Sequence, residues 1–313
     1  MATPRTRKRF LVSEAITEGT RRKYLGAIKG FLDWAADLGE EPDNFTELDE
    51  LGCDYIHHLY DNDRGRSTAA ALLFGLKFYL PGAKRRLHQM TLALRGWERR
   101  HPSVSFPPLT WELCCAMAVK ATKAGYELHG IAMLLQFDCL LRLSELLALR
   151  KEDIVFEGDP RYPREFKGCL LCLRNTKTGR DQSVTVEDPN VLLLLQGVCA
   201  KLPHADSPVF PFRADNYRRV FKRVAASLGL SARYVPHSCR HGGATRLFQR
   251  DPLSIEAIKL RGRWRSVEST KRYIQQGVVL LSTVNVPAAV ARLGALFSDH
   301  VSDAIKAALP QQH

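Results

Sequence analysis

Residues Pro236–Gln275 read PHSCRHGGATRLFQRDPLSIEAIKLRGRWRSVESTKRYIQ, and the interpretation of the whole chain turns on this stretch. His237 and Arg240 stand three apart, a spacing that puts two side chains on one helix face. His241, Ala244, Leu247 and Phe248 fall near the same face, so the pattern predicts a helix from about Pro236 with Arg240 turned inward. A buried guanidinium needs an anion, and its planar fork suits a phosphate oxygen pair or an internal carboxylate. Spacing does not separate His241 from His237 as the partner histidine. Tyr273 lies nine residues past Trp264, on an expected helix of about Val267–Gln275. A free phenol titrates near 10, so about one in a thousand is ionised at neutral pH. It attacks an electrophile only with a base in reach and cations around it. Arg263, Arg265, Lys271 and Arg272 supply cations, and His237 is a candidate base. Without those neighbours a tyrosine here is a packing residue.

Working upstream, the segment Cys139–Ile154 sets Arg142 alone among apolar residues, three before Glu145. Burying an unpaired guanidinium is costly, which implies a partner of fixed geometry. Glu145 either orients that site or simply favours the first turn of a helix. Lys177 sits in a Thr-Lys-Thr-Gly turn between two expected strands, either solvated or reaching into a groove to donate a proton.

These segments resemble, in order and separation, the successive boxes of the tyrosine recombinase (phage integrase) family. The boxes are Leu141-Arg142-Leu-Ser-Glu145-Leu-Leu-Ala-Leu, Asn175-Thr-Lys177-Thr-Gly, His237-Ser-Cys-Arg240-His241, Gly262-Arg-Trp264 and Tyr273. The dipeptide usually written Gly-His in that family is Arg263-Trp264 here, and the phrasing around Arg240 and Gly262 is closer to members from mobile elements. The resemblance implies a site-specific recombinase or integrase that breaks and rejoins DNA through a 3′-phosphotyrosyl bond, with no cofactor, metal or ATP. It assigns catalytic roles to Arg142, Lys177, His237, Arg240, Trp264 and Tyr273, and supporting ones to Glu145 and His241. It also implies double-stranded DNA as partner and a homo-oligomer, a tetramer, on that DNA. Two other readings stay open: relaxation of DNA in the manner of a type IB topoisomerase, and a non-catalytic DNA-binding relative.

The implied fold is mainly α with a small antiparallel sheet: an N-terminal helical core-binding (SAM-like) domain and a C-terminal catalytic domain, arranged as a two-domain DNA clamp. Patterning gives the boundaries. Residues 1–12 form a basic flexible arm, 13–101 the helical domain, 102–108 a Pro-rich linker, 109–285 the catalytic domain, and 286–313 an amphipathic helix and tail. Within the first domain, Tyr24, Leu25, Ile28, Phe31, Leu32 and Ala35 form one apolar stripe, and Thr46 is the expected cap of a second helix. Three short strands are expected at Asp153–Phe156, Cys169–Leu173 and Ser183–Val186, and a single last helix over Pro287–Ala308.

The 313 residues carry a formal net charge of +13, for which nucleic acid is the commonest partner. Candidate DNA contacts are Arg5, Arg7, Lys8, Arg9, Arg21, Arg22, Lys23, Arg263 and Arg265. The eight cysteines lack metal-ligand grouping, since Cys169 and Cys172 stand alone and on opposite strand faces. No membrane-length apolar run interrupts the chain. The expectation is a soluble intracellular protein associated with DNA, in the cytoplasm or nucleoid, or in the nucleus of a eukaryote. Its affinity for duplex DNA should fall by about 10³-fold or more between 50 and 200 mM salt. A flat response in a fluorescence-anisotropy titration would refute a phosphate-dominated interface.

Overall fold

The structure, a computed structural model, describes residues 11–309 except 13, 103–104, 162–164, 166, 177–178, 252–254, 276, 278 and 280–285, and omits the side chains of 175, 176 and 180. The chain falls into two compact units, Met1–Val104 and Ser105–His313.

The first unit is helical: α1 (Glu18–Leu38), α2 (Phe45–Asp61), α3 (Arg66–Tyr79) and α4 (His88–Arg100). Phe31, Ile56, Leu72, Leu73 and Met90 fill its core. The buried stripe of α1 runs through Ala27, Phe31 and Ala35 at i, i+4 spacing, which leaves Leu25 and Leu32 about half exposed rather than inward. The cap of α2 is Asn44, two residues before Thr46; its Oδ1 accepts from the backbone of Thr46 and Glu47. No side chain of its own caps α4. Asp49 of α2 does so instead, its buried carboxylate accepting from the N–H groups of Gln89 and Met90 at 2.8 and 3.0 Å.

The second unit is built on two apolar helices, α5 (Trp111–Lys123) and α6 (Glu127–Asp138), packed on each other at its centre. A short helix, α7 (Leu143–Ala148), leads into the strands β1 (Ile154–Phe156), β2 (Cys169–Thr176) and β3 (Gly179–Val186). They form one antiparallel sheet in the order β1-β2-β3, with Phe156 opposite Cys169 and Cys169 opposite Val186. The β2–β3 hairpin is longer than its apolar residues suggest. Pairing continues through polar positions to Thr176 opposite Gly179, because ladder hydrogen bonds need only backbone.

Helices α8 (Pro189–Ala200), α9 (Ala214–Ser227), α10 (His237–Arg250), α11 (Ile255–Gly262) and α12 (Val267–Lys271) follow. The C-terminal region is two helices, α13 (Ala288–Phe297) and α14 (Val301–Ala308), not one. A continuous helix would use the Ser298 carbonyl internally; here it accepts from the Trp111 indole at 3.0 Å, and Asn190 takes the Ser302 hydroxyl at 2.7 Å. Val290, Val301 and Ile305 join the core of their own unit, so this segment docks back on α5 and α8.

What seats α10 is a pair of glycines. A Cβ at Gly242 would lie 1.7 Å from the Leu109 carbonyl oxygen, and one at Gly243 2.2 Å from that of Phe137. The helix therefore lies backbone to backbone on α6 and on the buried residues leading into α5. Gly242→Ala should lower stability by about 1–3 kcal/mol through overpacking, outweighing the roughly 1 kcal/mol that alanine gains over glycine in a helix. An unchanged urea midpoint would contradict so close an approach.

Candidate active site

Three segments bring charge to one place: the start of α7, the inner face of α10, and the turn between α11 and α12. Glu145, buried in the first turn of α7, is what they share. Its Oε1 accepts from Arg142 Nη1 at 2.5 Å, and its Oε2 from the Arg142 backbone N–H at 2.8 Å and from Arg263 Nη2 at 2.9 Å. Arg240 Nη1 stands 3.9 Å from the same Oε2. Three guanidinium groups thus surround one carboxylate, leaving two positive charges that this carboxylate does not balance.

Arg240 is wholly buried, at 0% exposure. It donates to the carbonyls of Leu140 and Gly262, while Arg261 donates to the carbonyl of Asp138 at 2.8 Å. Asp138 and Gly262 end α6 and α11, where backbone oxygens lack partners inside the helix and carry the negative end of the dipole, and Leu140 lies two residues past α6. The arginines therefore cap two helices, and the caps hold their side chains still. Arg240 Nε and Trp264 Nε1 are buried with no hydrogen-bond partner among the described residues. Buried donors without acceptors are costly, and both belong to groups that suit an anion.

Tyr273 lies in a turn just past α12 rather than on a helix running to Gln275. Its ring stacks on His241 (centroids 4.6 Å apart), meets Trp264 at 4.6 Å and lies edge-on to His237 at 5.4 Å. The Arg240 guanidinium is 5.4 Å from its centroid and 4.5 Å from the nearer Trp264 ring. Thr245 of α10 fixes the adjoining backbone: its hydroxyl donates to the Tyr273 carbonyl at 3.1 Å and accepts from the Gln275 N–H at 3.2 Å. Trp264 lies flat on Gly262, where any Cβ would fall 1.8 Å from the indole.

Arg142, Glu145, His237, Arg240, His241, Trp264 and Tyr273 are thus brought together. Lys177, and Arg5, Arg7, Lys8 and Arg9, lie outside the described residues. Arg21 and Arg22 pair with Glu18 on α1, Arg21 also with Glu14, while Lys23 and Arg265 are exposed. Arg263 corrects the expectation of a DNA-contacting surface residue. It is buried, and it bonds Glu145, Leu140 and Arg261, because its backbone turns at φ +55 and sends the side chain inward. Sequence reasoning also passed over Thr245, whose signal was a hydroxyl one turn past the inward His241 in a run of small residues.

Comparison with known proteins places this fold. The fold is similar to that of the Tn1549 transposon integrase in a complex with circular intermediate DNA, with TM-score 0.56 and 16% identity over 78% of this chain and 83% of that one. It is also similar to a lambda integrase dimer bound to a COC′ core site, with TM-score 0.59 and 17% identity over 87% and 76%. No curated protein sequence gives a significant match. The phage integrase family model matches residues 115–278, and the chain belongs to that family.

The site electrostatics follow from burial beside cations. His237 is pushed down to about 4, first by burial and then by Arg240 and Arg142. His241 is pushed down to about 3 by burial, then by His237, with the Tyr273 backbone opposing. Burial lowers Arg240 to about 9, helped by Arg142 and Arg263, so it stays a cation at neutral pH. Burial pushes the Glu145 carboxyl up, but Arg263 and Arg142 outweigh it and hold the group below its usual range. Both histidines are neutral at pH 7. Below their ordinary value of 6.5 the unfolded chain takes up protons that the folded one resists, so folding weakens as pH falls. Urea midpoints should therefore drop between pH 6.5 and about 4, and His237→Asn should flatten part of that slope. An unaltered slope in the variant would contradict a neutral, buried His237.

Proposed function

We propose that the protein is a tyrosine-type, site-specific DNA recombinase or integrase, acting on double-stranded DNA as a homo-oligomer of four protomers. The observation that carries this reading is the placing of Tyr273 against Arg240, beside two buried donors, Arg240 Nε and Trp264 Nε1, that have no acceptor among the described residues. A scissile phosphate supplies what such a pocket lacks: an anion with two non-bridging oxygens.

In the proposed reaction Arg142 and Arg240 hold those oxygens and stabilise the charge that builds on them as phosphorus becomes five-coordinate. The Tyr273 oxygen forms a bond to phosphorus while the bond from phosphorus to the 5′-oxygen breaks. His237, neutral at pH 7, accepts the phenol proton. Lys177 gives a proton to the departing 5′-oxygen. Trp264 donates its indole N–H to the phosphate, and Glu145 and His241 hold the arginine and the tyrosine. The 3′-phosphotyrosyl ester keeps the energy of the broken bond, so a second 5′-hydroxyl reverses the step and joins a new strand.

On nicked suicide duplexes the wild type should accumulate a covalent protein–DNA adduct at Tyr273, while Tyr273→Phe binds DNA and forms none. Adducts that persist in Tyr273→Phe would sink the assignment. Relaxation of supercoiled DNA with no preference for site would place the protein with type IB topoisomerases instead.

A further inference from the structure

Arg263 adopts φ +55, a region that L side chains rarely occupy and glycine enters freely. A residue that served only to make the turn between α11 and α12 would need no side chain. This one is buried, and its guanidinium is engaged on several sides. Nη2 donates to Glu145 Oε2 and to the Leu140 carbonyl, each at 2.9 Å, and Nη1 donates to the Arg261 carbonyl at 2.7 Å. Its own carbonyl accepts from Arg142 Nη2 at 3.4 Å.

Those contacts fall on the groups that hold the two candidate clamp arginines. Glu145 grips the Arg142 guanidinium through Oε1 and the Arg142 backbone N–H through Oε2, and Arg263 donates to that same Oε2. The Leu140 carbonyl receives both Arg240 and Arg263. Leu140 itself adopts φ +49, so the carbonyl that both arginines cap belongs to a second disfavoured turn. Removing the Arg263 guanidinium would leave Glu145 held by Arg142 alone and the Leu140 turn with one cap fewer.

We infer that Arg263 is a positioning residue, whose guanidinium locks Glu145 and the Leu140 carbonyl and through them sets the orientation of Arg142 and Arg240. The inference rests on reading those two arginines as a phosphate clamp. Charged groups around Glu145 come from three elements: Arg142 at the start of α7, Arg240 on α10 and Arg263 in the turn. The cavity that Glu145 also lines, about 680 Å³, is bordered by Arg150, Asp153, Cys172, Arg174 and Asp206. Losing Arg263 removes the largest opposing cation from a buried carboxyl, which then titrates at higher pH. His237 is lowered by burial, Arg240 and Arg142, and keeps all three influences.

Arg263→Gly separates the two roles, since glycine suits the turn and lacks the guanidinium. Single-turnover cleavage of a nicked duplex should fall about 10²-fold, the scale of a misplaced catalytic group, with duplex affinity unchanged. The acid limb of its pH–rate profile should move to higher pH, and Arg263→Lys should recover part of the rate and move the limb back. A glycine variant with wild-type rate and an unmoved limb overturns the inference. So does a slowed variant whose limb is unmoved and which lysine does not rescue, because that is general damage. If the wild type forms no adduct, the proposed function fails, and the inference is then read by carbon-13 NMR titration of the Glu145 carboxyl. A higher pKa in Arg263→Gly supports positioning; an unchanged one overturns it.

Discussion

The Glu145 carboxylate is the point on which the second unit's charge balance turns. Arg142, Arg240 and Arg263 reach it from the start of α7, from α10 and from the turn after α11. One carboxylate cannot neutralise three guanidinium groups, and burial keeps water from doing so. Dehydrated cations of this kind persist when the backbone solvates them, and here the carbonyls at or just past the ends of α6 and α11 do that. The remaining excess of positive charge is a standing attraction for an anion. Burial first, and then the neighbouring cations, keep His237 and His241 neutral well below their ordinary range.

A cluster of like charges spreads apart unless the backbone prevents it. Two features do so. Gly242 and Gly243 press α10 onto the carbonyls of Leu109 and Phe137, which fixes the height of Arg240 in the pocket. Leu140 and Arg263 both turn with positive φ, aiming terminal carbonyls at guanidinium groups rather than at solvent. Strain of about 1–3 kcal/mol at such positions survives only where the surroundings hold it, and these surroundings are the arginines themselves. Tyr273, anchored through Thr245 of α10, joins the same rigid body instead of riding on a separate helix.

Much of this was legible in the chain. The three-residue spacing of His237 and Arg240 and the apolar face around them foretold an inward arginine, and Arg240 is fully buried. A lone Arg142 among apolar residues foretold a partner of fixed geometry, and Glu145 three residues on pairs with it. Arg263 was not legible as a buried residue. Four basic residues crowd its neighbourhood, and nothing in composition says which one a positive-φ turn will send inward. The break between α13 and α14 was hidden for a similar reason: an amphipathic run looks continuous until Trp111, nearly 190 residues away, takes the Ser298 carbonyl.

By itself, then, the sequence determined the mainly helical class, the small sheet, the order of the family's boxes and the residue types of the site. The helices and strands follow from periodicity and spacing, which act over a turn or two of chain, and the boxes and site residues from the family resemblance. Tertiary structure alone decided that Glu145 is shared by three arginines, that Arg263 is internal, and that the final helices fold back on their own unit. These depend on which helix ends and carbonyls meet in space, and contacts between residues more than a hundred positions apart leave no local period to read.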